Sequence, residues 1–209
     1  TSSGKTEIYI HLIQEQLAQG KQVLYLVPEI ALTTQLTERL RCIFGDQLYV
    51  YHSRFSSDER VEIYNEIKNN IDGQTPKAKL ILGARSSVFL PFQSLGLIIV
   101  DEEHDSSYKQ QDGTPRYHAR SVAIMMGHHY HCHVLLGTAT PSIESYYNAY
   151  QEHKYGLVTL AERHAGIQLP TIQCIDLKRQ YHRKEMYDHF SDPLVERIRK
   201  KKKKGKQVI

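Results

Sequence analysis

The 209 residues are 40% hydrophobic and 24% charged, the composition of one ordinary globular domain or slightly more. Apolar runs of four to six residues are too short to cross a bilayer and no signal peptide opens the chain, which excludes a membrane partner. Cys42, Cys132 and Cys174 are odd in number and far apart, which excludes a disulfide framework and a four-cysteine zinc site and fits a reducing cytoplasm. The net charge of +4 comes largely from Arg197, Arg199 and Lys200 to Lys204, so charge permits a nucleic-acid partner without requiring one.

In chain order, TSSGKTE at 1–7 has the form of a phosphate-binding loop opening a helix. In the full pattern G-x-x-x-x-G-K-[ST], Gly4, Lys5 and Thr6 supply the last three elements, and the first glycine is expected two positions before Thr1. Ser3, Gly4, Lys5, Thr6 and Glu7 are therefore candidates for binding a nucleotide. A glycine lets backbone amides approach phosphate oxygens, a lysine reaches the β- and γ-phosphates, and the threonine hydroxyl ligates Mg²⁺. The helix is expected over 5–19, with Ile8, Leu12 and Leu17 as its apolar face and Gly20 as its stop.

Residues 22–28, 80–84, 97–101 and 133–138 read as buried strands and 49–52 as a weaker one. Helices are expected at 31–44, 57–70, 117–130 and 142–151; the second of these lacks a capping box at Ser57 and Arg60, with Val61, Tyr64 and Ile67 on one face. The alternation implies an α/β fold, a mostly parallel sheet with helices on both faces and sites at the carboxyl ends of its strands. Later, 157–160 and 171–177 read as strands, 178–190 as a surface loop, and DPLVERIRKKKKKG as a helix with Asp192 as N-cap, Pro193 at the first position and Gly205 as stop. The terminal QVI resembles the start of another strand.

Two strand ends carry chemistry beyond phosphate binding. LIIV runs into DEEH at 101–104, where Asp101 is placed to hold Mg²⁺ and Glu102 to orient and deprotonate a water. HVLL runs into GTATPS at 137–142, whose two threonines suit sensing of a γ-phosphate. The patch His128, His129, His131, Cys132, His133 has no standard zinc-finger spacing and is better explained as a helix end and a strand start.

GKT, DEEH and GTATPS, in that order and spacing, resemble motifs I, II and III of superfamily 2 DExH helicases. LVPEIALTTQ (26–35) and GARSSVFLPF (83–92) resemble their Ia and Ib segments. The run DEEHDSSYKQQDGTPRYHAR is very similar to the bacterial primosomal replication-restart helicases, as are AERHAG, LPTIQCIDL and FSDPLVERI farther on. The resemblance implies a RecA-like P-loop NTPase lobe, with ATP hydrolysis driving 3′→5′ movement along single-stranded DNA at stalled or collapsed forks. Residues 1–152 are then expected to be helicase lobe 1, and 153–209 a connector and the beginning of lobe 2.

Carried over by position, the resemblance implies ATP and Mg²⁺ as the bound species, with Lys5, Asp101 and Glu102 catalytic and Thr6 and Asp101 on the metal. His104, Thr138 and Thr140 couple nucleotide to DNA. Arg85, Tyr108, Lys109, Arg116, Tyr117 and Arg120 face DNA, although each tyrosine is as well suited to ordinary packing as to stacking on a base. Implied partners are single-stranded and forked DNA, with primosome proteins and single-stranded-DNA-binding protein for the longer parent, in a bacterial cytoplasm near the nucleoid. The P-loop strand, the N-terminal DNA-binding regions, the opposing arginine finger and a zinc insertion of lobe 2 are expected outside these residues. The isolated 209 residues are therefore expected to hydrolyse ATP very poorly. Another DExH repair or fork-remodelling translocase, or a DNA-binding primosome scaffold with a vestigial ATPase, are the alternatives. Lys5, Asp101 and Glu102 together argue against the scaffold.

Overall fold

The computed structural model describes residues 4–28, 34–52, 55–68, 79–160 and 172–205. Ser3, the expected QVI strand, Gly166 and Pro170 lie outside the described residues, as do the outer ends of two expected helices at 31–33 and 69–70. The chain forms two compact units, Thr1–Gly166 and Ile167–Ile209.

The first unit is built on a five-stranded sheet in the order β2-β3-β1-β4-β5. Its strands are β1 (Gln22–Leu26), β2 (Leu48–Tyr51), β3 (Leu80–Gly83), β4 (Leu95–Asp101) and β5 (His133–Gly137). Every pairing in this sheet is parallel, so all five strands release their polar ends at one edge. The connections contain α1 (Lys5–Ala18), which precedes β1, then α2 (Thr34–Phe44), α3 (Ser57–Lys68) and α4 (Ala119–His129); α5 (Ile143–Tyr150) follows β5.

Helices lie on both faces because strand residues alternate between two cores. Val23, Tyr25 and Val27 of the β1 segment pack with Ile10, Ile13 and Leu17 of α1 and Leu40 and Phe44 of α2. Leu24 and Leu26 pack on the other side with Ile67 of α3 and Ala119 and Ala123 of α4. Burial on both faces explains the unbroken apolar strands.

Several local expectations change. The buried stripe of α1 is Tyr9, Ile10, Ile13 and Leu17, while Ile8 is exposed and Leu12 only half-buried. On α3 only Ile67 of the expected stripe is buried, and Val61 and Tyr64 face solvent. A capping box does open α3, at Ser56 and Glu59 rather than at Ser57 and Arg60. The Ser56 hydroxyl accepts the Glu59 N–H at 3.3 Å, and Glu59 accepts the Ser56 N–H at 2.8 Å. Residues 157–160 and 172–176 form no strand; 154–158 instead help line a cavity of about 400 Å³ beside β5, so the expected boundary after 152 falls inside the first unit.

The second unit replaces the expected loop at 178–190 with regular structure. α6 (Leu177–His182) starts where Asp176 accepts the Arg179 N–H at 3.1 Å, which ends the apparent strand pattern of TIQCIDL. β6 (Met186–Tyr187) and β7 (Phe190–Ser191) then form an antiparallel hairpin. Its turn uses Asp188 at φ +54°, without the glycine that usually marks such a turn. α7 (Asp192–Lys203) is preceded by Ser191 as N-cap, so Asp192 lies in the first turn rather than at the cap. Among the described residues no helix is long and apolar enough to cross a membrane.

Replacing Ser56 by Ala should cost about 1 kcal/mol in urea unfolding, whereas Ser57→Ala should change stability by less than about 0.5 kcal/mol. Equal costs at the two positions would place the cap elsewhere.

Candidate functional site

α1 begins at the polar edge of the sheet because Gly4 takes φ +78°, a left-handed conformation that a side chain disfavours. Its carbonyl accepts the N–H groups of Glu7 and Ile8 at 3.0 and 3.3 Å, starting the helix at Lys5. Lys5 Nζ donates to Glu102 Oε1 at 2.9 Å and stands 3.8 Å from Asp101 Oδ1. Thr6 is half-buried in the same turn, and Glu7 points outward to an ion pair with Arg39 of α2.

Asp101 closes β4 with its side chain 20% exposed. Burial pushes its carboxyl above the ordinary 3.8; Lys5 pulls it down, the Glu102 charge raises it, and the Tyr9 hydroxyl and Glu102 N–H lower it. Tyr9 donates to Oδ1 at 3.1 Å and Tyr25 to Oδ2 at 3.4 Å. Burial, then the Asp101 charge, drives both phenols far above their ordinary value, so both stay protonated donors. Neither tyrosine was found from the sequence, since both fall in apolar stretches that read as packing; the i, i+4 spacing of Lys5 and Tyr9 was the available signal.

A carboxylate that burial disfavours gains from a nearby cation. Among the described residues no group of three or more His, Cys, Asp or Glu could hold a metal ion. One carboxylate and a hydroxyl beside a phosphate-binding loop instead match Mg²⁺, which is usually held by one or two carboxylates, waters and substrate phosphates. The donor set therefore fits that ion.

The two remaining motif segments meet beside Lys5. His104 Nδ1 lies 2.8 Å from Thr138 Oγ1 and 3.7 Å from Glu102, and Nε2 lies 3.4 Å from Thr140 Oγ1. Thr138 Oγ1 also accepts the Thr140 N–H at 3.0 Å. The structure thus brings Lys5, Asp101, Glu102, His104, Thr138 and Thr140 into one connected group.

Glu103 had no assigned role in the sequence, yet it organises the neighbouring layer. It is 1% exposed and accepts from Ser142 N–H at 2.7 Å, Arg120 Nη1 at 2.6 Å, Ser145 Oγ at 2.8 Å and Ser142 Oγ at 3.1 Å. Burial alone would raise its carboxyl, but the Ser142 N–H, Arg120 and the two serine hydroxyls together hold it below the ordinary 4.5.

The expected DNA-facing residues divide. Tyr108 is 1% exposed and donates to the Asp101 carbonyl at 2.6 Å, so its ring is core and not available for stacking. Arg120, 14% exposed, is held by Glu103 and Ser142 and does not project toward a ligand. Arg85 is half-buried and donates to the Ser107 carbonyl at 3.2 Å, tying the 83–92 segment to the loop. Lys109 and Arg116 are exposed and, with Gln110, Gln111, Tyr117 and His118, line an open groove of about 550 Å³. A bridge between Lys109 and His118 and the bond from Gln110 N–H to the Tyr117 carbonyl at 2.8 Å close the base of this loop. Tyr117 is half-buried and meets Phe89 edge-on at 4.8 Å, and Phe89 is exposed.

A parallel sheet with DEEH and GTAT at neighbouring strand ends, and GKT opening α1 beside them, has the arrangement of a DExH-type nucleotide-binding domain. The chain belongs to the DEAD/DEAH box helicase family, which matches residues 1–149. It is similar to proteins named Replication restart protein PriA. Identity is 42% with that of Bacillus subtilis (strain 168), 44% with that of Rickettsia felis (strain ATCC VR-1525 / URRWXCal2) and 42% with that of Haemophilus influenzae (strain ATCC 51907 / DSM 11121 / KW20 / Rd), each over the whole chain. The chain spans 25%, 31% and 27% of those proteins respectively. A solved Mss116p DEAD-box helicase domain 2 bound to an RNA duplex is similar over 70% of this chain and 63% of that chain, at 10% identity and a TM-score of 0.40, a likeness too loose to carry any argument.

Removing the guanidinium from the buried Glu103 charge, as Arg120→Ala, should destabilise the fold by about 3 kcal/mol in urea unfolding. The exposed Arg116→Ala should change stability by less than about 0.5 kcal/mol. Similar small effects for both would show that Arg120 is not a brace.

Proposed function

We propose that the chain is the ATP-driven motor lobe, with the lead into a second lobe, of a bacterial replication-restart DNA helicase that moves 3′→5′ on single-stranded DNA. The observation that carries this reading is the unbroken set of contacts from Lys5 through Glu102 to His104 and Thr138 at the strand ends. Similarity to replication restart proteins over the whole chain supports the choice of restart over other fork or repair tasks. Forked DNA, primosome proteins and single-stranded-DNA-binding protein in a bacterial cytoplasm are the setting this implies.

Ser3 to Glu7 line the phosphates, with the α1 amides and Lys5 on the anion. Thr6 and Asp101 would hold Mg²⁺, which would supply Lewis-acid neutralisation of phosphate charge. Lys5 is paired with Glu102. Phosphate offers Lys5 a doubly charged partner, and Glu102 is then free to accept a proton from the water that attacks the γ-phosphorus as ADP leaves. His104 touches both Glu102 and the Thr138–Thr140 turn, so a change at the phosphate reaches that turn through one imidazole. On the outer side, Lys109 and Arg116 suit backbone phosphates, and Phe89 with Tyr117 presents an aromatic edge for bases. Tyr108 and Arg120 contribute by holding that loop.

In the full-length protein, Glu102→Gln should lower DNA-stimulated kcat by about 10²-fold or more, and Lys5→Ala should abolish it. Unchanged turnover in both would overturn the assignment. Lys109→Ala and Arg116→Ala should each reduce the salt dependence of single-strand binding by about 0.7 in the log–log slope. Unaltered slopes would remove the groove from the DNA path.

A further inference from the structure

The Asp101 carboxylate is gripped from behind by two hydroxyls that belong to none of the motif segments. Tyr9 stands one turn after Lys5 on α1, and Tyr25 stands on β1, paired with Ile99 of β4. Each takes a different oxygen, Tyr9 on Oδ1 and Tyr25 on Oδ2. The rings meet edge to face, with centroids 5.6 Å apart and planes at 76°, and both are buried. Packing alone would be served by phenylalanine at either position. The hydroxyls are what a buried carboxylate requires.

The neighbouring strand is shaped to admit this arrangement. Gly137 of β5 lies opposite Asp101 in the ladder, and a Cβ there would fall 1.7 Å from the Tyr9 hydroxyl oxygen and 2.8 Å from Cζ. Any side chain at 137 would displace Tyr9 from Asp101. The glycine that opens GTATPS is thus accounted for by the tyrosine it accommodates.

We propose that Tyr9 and Tyr25 are positioning residues for the metal site: Tyr9 acts with the Glu102 N–H on Oδ1 and Tyr25 acts on Oδ2, fixing the carboxylate so that Oδ2 keeps a lone pair for the ion. This rests on the reading of Asp101 as the Mg²⁺ ligand. Hydrogen-bonded supports of this kind commonly contribute 10- to 100-fold to metal affinity, roughly. Their loss acts on the metal and leaves metal-free nucleotide binding intact.

The test is Mn²⁺ titration of the full-length protein with ADP, read by electron paramagnetic resonance. It is accompanied by metal-free binding of a fluorescent ADP and by thermal melting. Tyr9→Phe and Tyr25→Phe should each weaken Mn²⁺ binding about tenfold, the double variant more, with metal-free ADP affinity unchanged. Gly137→Ala should act in the same direction as Tyr9→Phe, through displacement of the ring. Mn²⁺ affinity of the double variant within about twofold of the parent, while Asp101→Asn abolishes it, would overturn the proposal and leave Asp101 as the ligand. A lowered melting temperature with unaltered Mn²⁺ affinity would overturn it equally, marking the hydroxyls as structural. Asp101→Asn that binds Mn²⁺ normally would instead remove the reading on which the proposal stands.

Discussion

The site is organised around keeping a carboxylate charged at the end of a strand that is otherwise apolar. Leu97 to Val100 are buried on both faces, and the next residue is Asp101. Desolvation there works against ionisation, while Lys5, the Tyr9 hydroxyl and the Glu102 N–H favour it, and Tyr25 donates to the other oxygen. Convergence is possible because the sheet is wholly parallel. β1, β4 and β5 release their polar ends side by side, and α1 begins at the same edge. An antiparallel neighbour would have sent one of these groups to the opposite end of the molecule.

Much of this was legible in the sequence because both signals are local. Doubly buried strands read as unbroken apolar runs; DEEH and GTAT occur at strand ends, and GKT at the start of α1, as short words. The contacts that hold the words together were not legible. Glu103 reads as one more acid in a turn, and its partners Arg120, Ser142 and Ser145 are 17 to 42 residues away. Tyr9 and Tyr25 were hidden for the opposite reason, since their rings satisfy the apolar pattern and only the hydroxyl oxygens belong to the site. The failures in the second unit have another cause. Alternating residues before Leu177 suggest a strand, but Asp176 can satisfy a helix N-terminus, and a local cap outweighs a pattern with no sheet to join.

The loop after DEEH has an inner and an outer side, which its composition does not separate. Tyr108 and Arg120 face inward, one bonded to the Asp101 carbonyl and the other to Glu103. Lys109 and Arg116 face outward around the groove. The same residue types therefore serve opposite purposes within a dozen positions, and burial sorts them. This division also joins the outer groove mechanically to β4: Tyr108 precedes Lys109 directly and is anchored to Asp101.

Adjacent glutamates acquire different tasks through one backbone reversal. Glu102 has φ +47°, a conformation that costs about 1–3 kcal/mol in a residue with a side chain. The reversal is held by Glu102 N–H on Asp101 Oδ1, Glu103 N–H on the Gly137 carbonyl, and Asp105 N–H on the Glu102 carbonyl. Its consequence is directional. Glu102 turns toward Lys5 and His104, where its side chain remains 33% exposed, while Glu103 turns into the serines that open α5. A continued strand would send successive side chains to opposite faces of the sheet and keep neither at its edge. The strained turn brings the partly exposed carboxylate beside Lys5 and commits the buried one to holding Ser142 and Ser145. The strain at Glu102 is therefore the local cost of placing a partly exposed glutamate and a buried structural glutamate side by side.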